Sequence, residues 1–325
     1  MASASSSAAG IPPLGKYLAS TDKKTRDKAI KSLAIFLSDS SRPPLRKNDM
    51  DKLWKGIFYC FWMSDKPLVQ QALASELAEI ILTIESTASS LAFLRGFWET
   101  TVREWNGIDR LRIDKYYMLI RRFANASFRL LVRCNWNSVW CEEYNDILAG
   151  PGGPLCVNDS RVPSSLAYHL ADIYLEELDK AVASQLKLDE SDDEPTPTPL
   201  VTVLSPFLSL SSRTISNTTY SRIQSAILDP LFQSLSTIRS DEPPSAKRRR
   251  VLEVDYASLL DNACMLDPKS EGKMERSPLR KALLRKLFDV ASEQDTRDSN
   301  RRKLYSFWKS NQDEDDEEDR PIDAS

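Results

Sequence analysis

Apolar residues recur at intervals of three and four along this chain, and that spacing leaves few folds open. Over residues 22–38 it is carried by Ile30, Leu33, Ala34 and Leu37, and then by Met50, Leu53, Trp54, Ile57, Phe58 and Phe61. Positions three or four apart share one face of an α-helix, so each run predicts a helix with one buried side. The pattern returns in Leu73, Leu77, Ile80, Ile81 and Ile84, and again in Leu91, Leu94, Phe97, Trp98, Val102 and Trp105. A longer helix is expected over 109–133, through Leu111, Tyr116, Leu119, Ile120, Phe123, Ser127 and Leu130. Trp140, Cys141, Tyr144, Ile147 and Leu148 mark a shorter one, and Leu166, Leu170, Ile173, Tyr174 and Leu178 another over 164–184. Two more are expected over 200–210 and 216–238, with shorter amphipathic pieces over 255–265, 277–291 and 301–309.

So many one-sided helices must bury one another. They come in pairs at a pitch of about 40 residues, the spacing of HEAT-type units. Stacking such pairs covers every stripe but those at the ends. The fold class expected is therefore all-α: a HEAT-like helical repeat, or α-solenoid, with a C-terminal helical extension and a disordered acidic tail. Glycine is scarce at 9 residues, which disfavours phosphate-cradling loops and tight β-turns. Asn48 is placed as the cap of the second long helix and Ser90 as the start of another. Asp65 is read as an N-cap, with Pro67 in the first turn, where its missing N–H costs little.

Composition divides the chain further. Residues 1–11 read as a disordered leader, 12–186 as the helical-repeat core and 187–199 as an acidic, proline-rich linker. Residues 200–238 are expected to pack on the core. A basic linker over 239–250, an amphipathic basic extension over 251–310 and an acidic tail over 311–325 follow. The tail contains seven consecutive acids, Asp313 to Asp319. The first residues lack the basic and apolar regions of a secretory signal, and no stretch approaches the ~20 apolar residues of a membrane span. Five cysteines, an odd number without CxxC spacing, argue against a disulfide framework. A soluble intracellular chain is expected, and the sequons at Asn125 and Asn217 are then chance matches.

Little here points to catalysis. Cys134, Cys141, Cys156 and His169 would be the metal set, but their gaps of 7, 15 and 13 residues do not resemble the close ligand pairs of structural zinc sites. Cys141 fits a core stripe better. His169, the only histidine, has no local nucleophile motif and reads as a packing or capping residue. There is no Walker loop or GxGxxG. The expectation is no enzyme, no metal, no cofactor and no small-molecule substrate.

Charge is more informative. Nine cations and four acids lie over 95–133. Among the cations, Arg110, Arg112, Lys115, Arg121, Arg122, Arg129 and Arg133 form the candidate site. Lys115, Arg122 and Arg129 are seven apart and share a helical face. Such a stripe suits RNA phosphates, and equally suits acids of neighbouring helices or of a partner protein. Lys247, Arg248, Arg249 and Arg250 read as a nuclear localisation signal or nucleic-acid arm. Residues 273–309 carry eleven cations and five acids around Leu279, Leu283, Leu284, Leu287 and Phe288, the pattern of a segment that folds onto a partner, or of an ordinary surface helix. Ser191, beside Asp192, Asp193 and Glu194, suits an acidophilic kinase.

Three strings carry a resemblance. LWKGIFYCFWMSDKPLVQQALASELAEI (residues 53–80), FWETTVREWNGIDRLRIDKYYMLIRRF (97–123) and YHLADIYLEELDKA (168–181) closely resemble blocks of the ribosomal-RNA-processing protein 1 (Nop fifty-two) family, in the same order. The resemblance covers residues 12–185 and fades beyond 190. It implies a nuclear and nucleolar, non-enzymatic, all-helical factor associated with precursor particles of the large ribosomal subunit. It further implies other assembly factors as partners, rRNA as an expected contact and no membrane. In the third string Asp172, Glu176 and Glu177 are expected to face a basic partner or to balance the helix of Arg121 and Arg122. The alternatives are a protein-only nuclear scaffold or transport adaptor, and a nuclease, against which the absence of a metal-binding carboxylate motif argues.

Overall fold

A computed structural model describes residues 15–18, 20, 22–39, 45–188, 195–236 and 256–318. Helices make up most of it, as the periodicity predicts. They are α1 (Gly15–Leu18), α2 (Lys23–Ser38), α3 (Lys47–Trp62), α4 (Pro67–Thr83), α5 (Thr87–Glu104), α6 (Ile113–Arg133), α7 (Ser138–Ala149), α8 (Ser164–Leu188), α9 (Leu200–Arg213), α10 (Asn217–Ile223), α11 (Asp229–Ser236), α12 (Ala257–Leu260), α13 (Pro268–Glu271), α14 (Arg276–Ser292) and α15 (Asp298–Glu318). Two short strands, β1 (Thr198–Pro199) and β2 (Ala263–Cys264), pair in parallel. No described helix is long and apolar enough to cross a membrane. The chain divides into two compact units, residues 1–127 and 128–325, so the boundary falls inside α6.

In the first unit each helix packs on its neighbour or next neighbour in sequence: α2 on α4, α3 on α5, α4 on α5. That is the pattern of stacked helical pairs. Its centre is Trp54. The indole is 2% exposed and lies 4.5 Å from the Phe93 ring, 5.5 Å from Phe97 and 5.7 Å from Phe123. Its Nε1 donates to the Phe93 carbonyl at 2.8 Å, so the ring's one polar atom is satisfied. Phe97 and Phe123 stack at 3.8 Å with only 8° between their planes. This close approach requires a glycine. A Cβ on Gly96 would lie 2.3 Å from Trp54 Cδ1.

The second unit is built around a second aromatic chain. Phe128 meets Tyr144 at 5.9 Å and Tyr174 at 4.9 Å, and Tyr174 meets Phe207 at 4.8 Å. The Tyr174 hydroxyl donates to the Val203 carbonyl at 2.6 Å, tying α8 to α9. The helix from Asn217 to Ser236 is continuous but takes a π-helical turn at Gln224–Leu228. Pro230, one turn on, lacks an N–H and crowds the carbonyl four residues back, which accounts for the bulge.

The segment expected to extend over a partner is instead folded into this unit. α14 packs on α9, α11 and α15, and α15 also packs on α9. Strands β1 and β2 bring the chain back, with Thr198 N–H donating to the Asn262 carbonyl at 2.7 Å. Buried Asn300 donates its amide to the carbonyls of Ser212 (3.2 Å) and Thr214 (2.8 Å), closing the end of α9. Buried Arg280 donates to Ser236 Oγ at 2.9 Å and to the Asn311 carbonyl at 3.1 Å.

Several expected boundaries shift. Arg46 and Lys66 take the N-cap positions given to Asn48 and Asp65, while Pro67 opens α4 as expected. Ser90 does not start α5. Ser86 caps it, and Ser90 is buried inside, its hydroxyl donating to the Ile81 carbonyl at 2.8 Å. Leu111 is no core residue: it precedes α6 and is 92% exposed. α15 runs well past the expected 301–309.

The glycines of α3 and α5 provide a paired test. Gly96→Ala forces Trp54 to move and is expected to cost about 1–3 kcal/mol in urea unfolding. Gly56→Ala, where the added methyl meets nothing within 4 Å, is expected to be neutral or to stabilise the helix by roughly 0.5–1 kcal/mol. Equal effects would contradict the Trp54 contact.

Candidate nucleic-acid interface

The cations expected on one stripe have different surroundings. In the first unit Arg110 and Arg122 are exposed and Arg121 is half-buried. Arg112 lies over the Trp62 ring at 5.1 Å and bridges Asp109 at 2.5 Å. That hydrogen bond, with the charge of the same guanidinium, lowers the Asp109 carboxyl below its ordinary range. In the second unit Arg133 is exposed and Arg129 half-buried. Arg121, Arg129 and Arg133 each engage other groups of the chain.

Lys115 corrects the expectation of a shared face with Arg122 and Arg129. It is 6% exposed and points inward. Its Nζ donates to the carbonyls of Trp62 (2.7 Å) and Ser64 (2.9 Å), just where α3 ends and leaves carbonyls without helical partners. The Phe61 ring lies 5.5 Å away. Burial lowers its pKa to about 8, Arg112 adds to the effect, and Asp65 and Asp109 oppose it. Lys115 thus closes a helix end and is removed from any RNA-facing stripe. The seven-residue spacing identifies a common side of the helix, but it does not tell which part of that side is covered.

The acidic candidates are also engaged within the chain. Asp172 on α8 bridges Arg222 on α10. Glu176 and buried Glu177 both receive Lys180 of the same helix, at 2.5 and 3.0 Å. One turn on, Asp179 accepts the Leu259 backbone N–H at 2.8 Å, holding α12 against α8. Asp172 and Asp179 thus hold α10 and α12 of the chain itself, a role the sequence did not disclose because the residues they hold lie 50 and 80 positions away.

Lys247–Arg250 and Ser191 lie outside the described residues. Cys141 is buried in the core as expected, its thiol pushed up to about 12 by burial with help from Cys134 and Glu142. His169 is half-buried in the second turn of α8. Among the described residues no cluster of His, Cys, Asp and Glu has the form of a metal site. The basic 273–309 segment separates cleanly: Leu279, Leu283, Leu284 and Leu287 are buried, whereas Phe288 is 39% exposed beside half-buried Trp308.

A helical fold with exposed cations such as Arg110 and Arg122 is the setting for the comparison with known proteins. The profile of the family described as "Nucleolar protein,Nop52" matches residues 9–321, and the chain belongs to that family of nucleolar proteins. The particular relatives bear one name. Ribosomal RNA processing protein 1 homolog B of Homo sapiens is 32% identical over 244 residues, 74% of this chain and 30% of the relative. Homolog A of Homo sapiens is 28% identical over 345 residues, 93% of this chain and 71% of the relative. Homolog A of Mus musculus is 32% identical over 254 residues, covering 76% and 47%. The chain thus spans less than a third of homolog B and less than half of mouse homolog A. The family match extends far beyond residue 185, where the resemblance of the three strings ended. It takes in α9 to α15.

Lys115 yields a pH prediction. Folding lowers its pKa from 10.5 to about 8, so between those values the unfolded chain holds a proton that the folded chain has lost. Stability should therefore gain with rising pH across that window, and below it the cost of burying the charge is present in full. Lys115→Met should lose about 1–3 kcal/mol, because the Trp62 carbonyl loses its side-chain donor, while that of Ser64 keeps Gln70 Nε2 at 2.7 Å. It should also lose the alkaline gain, read as the difference in urea midpoint between the two proteins at about pH 7 and about pH 10. A parallel pH response of both proteins would refute the assignment.

Proposed function

We propose that this chain is a non-catalytic assembly factor that binds precursor particles of the large ribosomal subunit in the nucleolus and supports processing and folding of their rRNA. The observation that carries the reading is the family match over residues 9–321, with relatives named for ribosomal RNA processing. The structure adds what such a factor needs. Its helices pack on aromatic cores, and Arg110 and Arg122 are exposed, where phosphate or an acidic partner can reach them. Burial keeps the Cys141 thiol and the Tyr144 and Tyr174 hydroxyls in their protonated forms, as for side chains packed in a core.

Sedimentation of nucleolar extracts tests this. The full chain is expected to co-migrate with large-subunit precursors, and a chain lacking residues 1–185 is expected not to. Ultraviolet crosslinks from residues 110–133 to rRNA are expected in the purified particle. Arg110→Glu with Arg122→Glu should weaken RNA retention and lower the salt slope by about one for each phosphate no longer neutralised. Co-migration without any rRNA crosslink favours a protein-only scaffold, and migration away from precursors refutes the assembly role.

A further inference from the structure

α14 and α15, joined by residues 293–297, leave an open groove in the second unit. Its floor is Leu284 and Phe288 from α14 and Trp308 from α15, with Lys281, Arg285 and Asp289 on the rim. Phe288 sits 5.3 Å from the Tyr305 ring and 5.1 Å from Trp308, with 51° and 53° between the planes. Three aromatic rings therefore meet at the surface, and the central one keeps 39% of its area in water. The leucines and the valine of α14 are buried, whereas Phe288 leaves part of its ring in water.

The surroundings are cationic. Lys281, Arg285 and Phe288 follow one another at four and three residues and share a face of α14. Arg302, Tyr305 and Lys309 do the same on α15. Lys281, Arg285, Arg302 and Lys309 are all exposed. A partner helix would need an apolar trough of two turns or more, whereas this floor is one aromatic trio and a leucine. Flat rings bordered by cations fit a polyanion that carries flat groups.

We propose that the α14–α15 groove is a stacking site for unpaired bases of single-stranded RNA. Phe288 is the platform, Trp308 the wall, and Arg285 and Lys309 neutralise the flanking phosphates. Every base has a π-face, so the site accepts bases without reading their edges, and a duplex, whose bases are already stacked, is excluded. Asp289 opposes the phosphates and limits affinity. This inference rests on the reading that the chain works on rRNA, and it names the form of RNA and the place of contact.

The test uses the full chain and fluorescence polarisation with labelled oligo(U) and oligo(A) of roughly twelve nucleotides, with a duplex of the same length as control. The single strands are expected to bind more tightly than the duplex. Phe288→Leu should weaken single-strand binding roughly tenfold; because it also gives up the ring contacts to Tyr305 and Trp308, a melting curve taken alongside shows that the variant is folded at the assay temperature. Arg285→Gln should lower the salt slope by about one. Asp289→Asn should tighten binding. A parent-like affinity in both Phe288→Leu and Arg285→Gln overturns the proposal. So does a duplex, or a poly-glutamate peptide, bound as tightly as the single strand. If the groove variants bind RNA like the parent while the parent still co-migrates with precursor particles, the groove fails and the assembly role stands. If the groove binds RNA but the parent does not co-migrate, the assembly role fails and the groove stands.

Discussion

Trp54 can occupy the middle of the first unit only because residue 96 has no side chain. The indole fills the space where the Gly96 Cβ would be, donates to the Phe93 carbonyl, and sets α3 against α5 at the separation that lets Phe97 and Phe123 stack. Packing of this density is shape-specific: it fixes which turn of α3 faces which turn of α5, and a ring of another size would have to displace the backbone. With that register set, Phe58 and Phe61 meet Tyr116, and the end of α3 comes within reach of Lys115.

A second regularity is the use of charged and amide side chains to close helix ends. Lys115 does this for α3, Asn300 for α9, and Arg280 joins the end of α11 to Asn311 on α15. Lys115 and Asn300 donate to carbonyls that a helix terminus leaves without partners, and all three side chains are buried, where an unpartnered polar group costs most. Cations in a basic-rich sequence therefore have two uses that composition alone does not separate, internal closure and external contact. Those left at the surface, such as Arg110, Arg122 and Arg285, are the ones a partner can reach.

The helices were legible because burial writes its period into the sequence. The stripes over Met50–Phe61 and Leu73–Ile84 became cores with few exceptions. Caps were legible only to within one to four residues: Arg46 and Lys66 displaced better-looking neighbours without supplying a side-chain bond, and Ser86 caps the helix whose start was placed at Ser90. Long-range choices were not legible. No local signal says that Asp179 holds Leu259, that β1 and β2 pair across more than sixty residues, or that Lys115 turns inward while Arg122, seven residues on, stays in water. Leu111 misled because it is in phase with α6 yet lies before its first turn. The groove of Phe288 and Trp308 was hidden for a similar reason. Phe288 reads as one more apolar residue in a leucine-rich helix until the neighbouring helix shows that it is left over.

The pairing of Thr198–Pro199 with Ala263–Cys264 also affects what separates them. Ser236 and Tyr256, the described residues on either side of the basic run, belong to segments held independently: α11 by α14, and the turn before β2 by Asp179 and by β1. Both ends are held by contacts that do not run through the residues between them, so a chain cut at that connection would keep α11 and β2 anchored.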